Sequence, residues 1–179
     1  MIEKIKVMIL GYCKENDQEL WTPHITSVVK NAKLLAKKLD ADEEVCEIAA
    51  WLHDIIKVRD GIKEMHHVKG SEEAERILTE LNYPKEKIAE VKHCILTHSS
   101  DKRYPPESVE AKIVASADAM AHFEHFLGLA YYVFHKQGYS IEESRAWLKN
   151  KYKVAWSKLM PEAQELMQER YDAIKLIIG

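Results

Sequence analysis

Apolar residues recur along this chain at intervals of three and four rather than two, so its segments are predicted to be helices, with no strand among them. Pro23, acceptable in a first helical turn, precedes the stripe Ile25, Val28, Val29, Ala32, Leu35 and Leu39, which predicts a helix from about residue 23 to 39. Asp42 is placed to cap the next helix, whose buried face is Val45, Ile48, Ala49, Leu52 and Ile56, with a charged loop from Lys57 to Glu64 beyond it. Further helices are predicted from His67 to Leu81 and from Pro84 to His98. After a break at Ser99 to Ser108 comes another, marked by Val109, Ile113, Val114, Ala117 and Ala121. The apolar run Phe126 to Phe134 suits a buried helical segment. Gly138-Tyr139-Ser140 then separates two last helices, about 141–160 and 161–178, whose Trp147, Leu148, Tyr152, Trp156, Leu166, Met167, Ile174 and Ile178 read as packing residues.

A length of 179 residues suits one all-α domain spanning 1–179, large enough for a real core and too small for a second. The balance of 26 basic against 29 acidic residues argues against an extended nucleic-acid surface or a protein that coats anionic membranes, so any phosphate binding must be local. Cys13, Cys46 and Cys94 are an odd, widely spaced set that fits neither a disulfide framework nor a paired-cysteine zinc site, and a reducing cytoplasm is expected. Charges in Met1-Ile2-Glu3-Lys4-Ile5-Lys6 stand where an export signal needs apolar residues, and no uncharged run approaches the roughly 20 residues of a spanning helix. The glycines form neither a Walker sequence nor a dinucleotide fingerprint, which speaks against an ATP-driven or nicotinamide-dependent role.

Polar residues interrupt the apolar stripes at a few places. His24 lies four residues before Val28, His53 four after Ala49 and Asp118 four after Val114, so each points inward; Asp54 follows His53 about 100 degrees further round its helix. An inward carboxylate costs on the order of several kcal/mol unless a cation or strong donors compensate it. Two imidazoles with two carboxylates suit a borderline-to-hard divalent cation, and Mn, Zn, Fe, Co, Ni and Mg are not distinguished by this donor set.

In chain order, His24, then Leu52-His53-Asp54-Ile55-Ile56-Lys57, then Ala115-Ser116-Ala117-Asp118-Ala119 resemble the H, HD and D motif of the HD superfamily of metal-dependent phosphohydrolases, over about Thr22 to Phe123. The resemblance implies an all-α HD-domain bundle with a motif-bearing core at about 22–123 and carboxyl-terminal helices at about 126–178 packed on it. It further implies that His24, His53, Asp54 and Asp118 bind the metal while a bound water attacks phosphorus. His67 with Gly70 in His66-His67-Val68-Lys69-Gly70, and His98 in Ile95-Leu96-Thr97-His98-Ser99, resemble two further histidine motifs; His67 and His98 are the candidates for a second metal or for donation to the leaving oxygen. Members that bind two metals often carry adjacent histidines at the later position, where this chain has His98 alone.

On this reading Asp54 also orients or deprotonates the water. Lys57, about one turn after Asp54, and Arg103 are the candidate phosphate contacts, while Arg59, Lys63, Lys69 and Lys102 are loop cations. His93 is expected to be structural or exposed, and His66, His122, His125 and His135 have no family position and receive no site role. The expected reaction is cleavage of a phosphate ester or anhydride of a nucleotide or similar small phosphate compound. The glycine-tyrosine-proline extension associated with cyclic dinucleotide cleavage is replaced here by Arg103-Tyr104-Pro105. Two other classes stay open: an HD-fold di-iron oxygenase, for which His67 and His98 are both obligatory ligands, and a nucleotide-binding sensor without turnover. The aromatic stripe near the carboxyl terminus suits internal packing or a homodimer equally.

Overall fold

Alanine dominates the segment after Ser108, and that composition decides the architecture. Helix α7 (Val109–Glu124) buries Ala111, Ala115, Ala117, Ala119 and Ala121 together with Ile113, Val114, Met120 and Phe123, so it is apolar on nearly every side and must run through the middle of the molecule. Small side chains allow its neighbours to come close, and it touches α2 (Gln18–Leu39), α3 (Glu43–Leu52), α6 (Lys85–Thr97), α9 (Ile141–Lys158) and α10 (Pro161–Ile178). The computed structural model describes residues 1–179: these helices with α1 (Ile2–Glu15), α4 (Ile55–Asp60), α5 (His66–Glu80), α8 (Phe126–Tyr131) and a π-helical turn (Tyr132–Lys136), and no strand. No helix is long and apolar enough to cross a membrane.

Several boundaries differ from those the periodicity predicts. Helix α1 was not anticipated; Ile5, Ile9 and Cys13, one turn apart, bury its inner face against α2, α3 and α4. Helix α2 starts at Gln18, so Pro23 lies in its second turn and forfeits the backbone hydrogen bond to Glu19. The stripe from Val45 to Ile56 reads as one helix, but the backbone of Asp54 leaves helical geometry (φ -113, ψ 18) and splits it into α3 and α4. Lys57 to Asp60, expected as loop, form the end of α4, which stops where Gly61 takes φ +68 and returns its N–H to the Lys57 carbonyl. Helix α8 contains no buried residue, and Leu127 is 79% exposed, so the run Phe126 to Phe134 is mostly a surface segment anchored by Val133. Leu166 is likewise exposed rather than packed.

Helix starts follow local chemistry. Asp42 accepts a hydrogen bond from the Val45 N–H at 3.0 Å, and Ser108 accepts one from Ala111 at 3.1 Å. Ser140 and Glu143 form a reciprocal capping box at the start of α9, with the Glu143 N–H donating to Ser140 Oγ and the Ser140 N–H donating to the Glu143 carboxylate. Ser140→Ala is expected to destabilise the protein by about 1 kcal/mol in urea unfolding; an unchanged midpoint would show the box to be idle.

Helices α9 and α10 are held on α7 by aromatic packing. The Phe123 ring lies 5.3 Å from that of Tyr152 and 5.8 Å from that of Tyr171, and Trp156 stacks on Tyr171 at 4.3 Å.

Candidate metal centre

The split at Asp54 has a chemical result. His53 ends α3 and Asp54 begins α4, so two consecutive side chains leave the helix direction and face α2 and α7. His24 Nε2, from α2, stands 3.5 Å from Asp118 Oδ1 and 3.9 Å from Asp54 Oδ2. His53 Nε2 stands 3.6 Å from Asp54 Oδ2 and 3.9 Å from Asp118 Oδ1. The structure thus brings His24, His53, Asp54 and Asp118 together from three separate stretches of chain.

A second group meets the other oxygen of Asp54. His98 Nε2 is 3.4 Å and His66 Nε2 is 3.6 Å from Asp54 Oδ1, and the two imidazole nitrogens are 3.3 Å apart. His122, one turn after Asp118 on α7, puts its Nε2 3.7 Å from Asp118 Oδ1. Most of these separations are too long for good hydrogen bonds. They are the spacing expected of donors that each sit about 2.0–2.2 Å from a common cation. His53 Nε2 and Asp54 Oδ1 are moreover buried without a hydrogen-bond partner, which a protein seldom tolerates unless something else satisfies them.

The imidazoles are oriented by backbone. His53 donates its Nδ1–H to the Ala50 carbonyl at 2.8 Å, His66 to Lys63 at 2.8 Å and His98 to Ile95 at 2.6 Å, each reaching three residues back. A carbonyl only accepts, so Nδ1 carries the hydrogen and Nε2 presents its lone pair inward. Charge states agree with this. Burial pushes His24 down to about 3 and His66 down to about 4, and also lowers His98 and His122. Burial would raise the carboxyls of Asp54 and Asp118, but Lys57 beside the first and Lys158 beside the second hold both well below the usual carboxylate range. Neutral imidazoles with ionised carboxylates are the forms that ligate a cation, so the residues present fit a divalent metal.

Two residues assigned from the sequence are not brought here. His67 faces Asp101 Oδ2 at 3.3 Å and packs near Tyr104. It shares the core face of α5 with Gly70, Ser71, Ala74 and Leu78, which packs mainly on α6; His66, about 100 degrees round, is the histidine that reaches the cluster. Arg103 is 65% exposed, pairs with Asp101 at 2.6 Å and does not line the cavity. His93 accepts a hydrogen bond from the Glu107 N–H, in keeping with a structural role.

The cavity above the cluster measures about 680 Å³ and is lined by Lys57, Lys63, Lys136, Lys151 and Lys158. Lys57 Nζ lies 2.8 Å from Asp54 Oδ2, and Lys158 Nζ donates to Asp118 Oδ2 at 2.6 Å. Trp21, Tyr132 and Trp147 also line it, with the Trp21 ring 6.2 Å from that of His24. Among these residues the sequence assigns a site role to Lys57 alone, and it assigns none to His66 or His122.

A family model described as HD domain matches residues 23–122. The chain belongs to the HD domain family. Over 98 residues the chain is 35% identical to ribonuclease Y of Alkaliphilus metalliredigens (strain QYMF) and to that of Desulforudis audaxviator (strain MP104C), which is 55% of this chain but 19% and 17% of those relatives. The match therefore spans less than a fifth of the curated relatives' length. Likeness of fold extends past the HD domain segment. YpgQ of Bacillus subtilis, solved in complex with ADP, superposes with a TM-score of 0.78 at 24% identity, covering 99% of this chain and 90% of YpgQ. An HD-superfamily hydrolase of Bacillus thuringiensis gives 0.72 at 22% identity, covering 99% and 92%.

Proposed function

We propose that this HD domain protein is a metal-dependent phosphohydrolase that cleaves a phosphate ester or anhydride of a nucleotide or similar small phosphate compound. One observation carries the reading: the histidine and aspartate cluster opens into a cavity lined by five lysines. Neutral imidazoles and ionised carboxylates suit a cation, and ammonium groups beside them suit an anion that meets that cation. The ADP complex of the similarly folded YpgQ supports a nucleotide as that anion.

His24, His53, Asp54 and Asp118 would hold the metal, which when bound supplies Lewis acidity to a phosphate oxygen and makes water more acidic. Asp54 is the residue suited to orient water and take its proton, since it is the buried carboxylate shared by both groups of imidazoles. Lys57, against Asp54, is suited to stabilise negative charge developing on phosphate oxygens. His98 and His66 present Nε2 lone pairs, with their hydrogens committed to backbone carbonyls, so they are better suited to ligate than to donate to a leaving oxygen. With Asp54 Oδ1 they would form a second metal position.

A phosphate-release screen over nucleotides with Mn, Zn, Fe, Co, Ni and Mg tests the reading; inertness under every combination would refute it. For the second position, His66→Ala is expected to remove one of two bound metals in elemental analysis, whereas His67→Ala is expected to leave both. Loss on His67→Ala instead would reverse the assignment.

The shared Asp54 also favours a second reading, a di-iron oxygenase in which His66 rather than the expected His67 joins His98, because its two oxygens face two groups of imidazoles. The five lysines weigh toward phosphate. Two irons per chain with a coupled paramagnetic signal after anaerobic purification, and no phosphate release, would favour oxidation.

A further inference from the structure

Helix α9 lies beyond residues 23–122, yet Trp147, Lys151 and Lys158 all line the cavity. Spacings of four and seven residues put them on one face of the helix, whose carboxyl-terminal Lys158 meets the cluster at Asp118. Lys158 is engaged with Asp118 Oδ2. Lys151 is not: it has no carboxylate within 4.0 Å and no hydrogen bond, and its charged neighbours include Lys57 and Lys158 as well as Asp54 and Asp118. Lys57 and Lys158 thus pair with the two carboxylates, and Lys151 lines the same cavity as a further cation without a partner of its own. A partly buried, unpaired cation is costly, and an arriving anion is its natural compensation.

Position along α9 says which part of the anion. Lys151 stands seven residues before Lys158, a backbone rise of about 10 Å, and its charge acts most on His122 and Asp118, so it lies on the His122 side of the cluster, placed for a phosphate next to the one between Asp54 and Asp118. One turn further, Trp147 has its ring 6.2 Å from that of Tyr132, and the Tyr132 hydroxyl accepts from Lys63. Along this face of α9 the cavity wall thus changes from the ammonium held on Asp118, through that of Lys151, to the aromatic rings of Trp147 and Tyr132.

We infer that α9 reads the substrate: Lys151 holds a phosphate other than the one cleaved, and Trp147 with Tyr132 packs against a planar ring at the far end of the phosphate chain. The ligand is a nucleoside di- or triphosphate in preference to a monophosphate. As to reaction, this rests on the phosphohydrolase reading; as to binding, it stands by itself.

The test is titration calorimetry of the manganese-loaded protein with ADP, AMP and inorganic tripolyphosphate, on wild type, Lys151→Met, Trp147→Ala and Trp147→Phe. Melting temperature and metal content confirm that each variant is folded and loaded. Lys151→Met is expected to weaken ADP and tripolyphosphate by about tenfold or more while changing AMP by less than about twofold. Trp147→Ala is expected to weaken ADP by about tenfold and to leave tripolyphosphate unchanged, with Trp147→Phe recovering most of the loss. Equal weakening of AMP and ADP by Lys151→Met, equal weakening of ADP and tripolyphosphate by Trp147→Ala, or no ADP binding by wild type, would overturn the inference. A phosphate-release assay on wild type keeps the two readings apart. Binding ratios as expected without turnover leave α9 as the reader and refute the hydrolase; turnover with flat ratios does the reverse.

Discussion

Alanine in place of Asp54 is expected to lower turnover about a thousandfold or more while leaving the helices folded. The expectation follows from how many groups this one side chain serves. Its Oδ2 faces His24, His53 and Lys57, and its Oδ1 faces His66 and His98. Truncation removes a donor from both groups of imidazoles and also the carboxylate suited to accept a proton from water. The fold should survive, because Asp54 makes no helix-capping hydrogen bond and Lys57, partly exposed, can turn to solvent once its partner is gone. Steady-state kinetics in excess metal, elemental analysis and a thermal melt together measure it. Near-normal activity in a metal-replete preparation would refute the mechanism. A collapse of the melt would instead mark Asp54 as a structural residue.

Phe123→Ala is expected to destabilise the protein by about 3–5 kcal/mol and to lower its melting temperature by about 10 °C. Phe123 is 2% exposed, and its ring contacts Tyr152 and Trp156 of α9 and Tyr171 of α10. Removing it opens a cavity where three helices meet, and neighbouring aromatic rings are too rigid to fill it. Since Phe123 adjoins His122 without itself lining the cavity, activity at low temperature should be largely kept and then fail early on heating. Scanning calorimetry with Phe123→Leu as the conservative control decides the matter. A shift below about 2 °C would mean that α9 and α10 do not depend on this contact.

The same residues explain what could be read from the sequence. His24, His53 and Asp118 were legible because each lies in phase with an apolar stripe, so a polar residue there had to be explained. His66 was not: the motif resemblance points to its neighbour His67, which lies on the core face of α5, but that face is turned to α6, and His66, about 100 degrees round, is the one that meets the cavity. Phase identifies what is inward relative to a helix, and a site wedged between helices need not share that direction. His122 could have been found, being four residues after Asp118 and so on its face of α7. Lys151 and Lys158 carried no such sign, because lysines on a late helix resemble an ordinary solvated face. The break between α3 and α4 was hidden because its apolar stripe continues across it, and α1 because Ile5, Ile9 and Cys13 lie among other apolar residues, Ile2, Val7, Met8, Leu10 and Tyr12, so that no single stripe stands out.

His53 and His98 stand at the carboxyl ends of α3 and α6, and the carbonyls they engage, those of Ala50 and Ile95, belong to the last turns of those helices. Each therefore serves as a stopper for its own helix as well as facing the candidate centre. In a descendant that had abandoned chemistry, these two histidines would still be retained by selection for stability. His24 has no comparable duty and would be among the first to drift, so its presence beside them is the better witness of a working site.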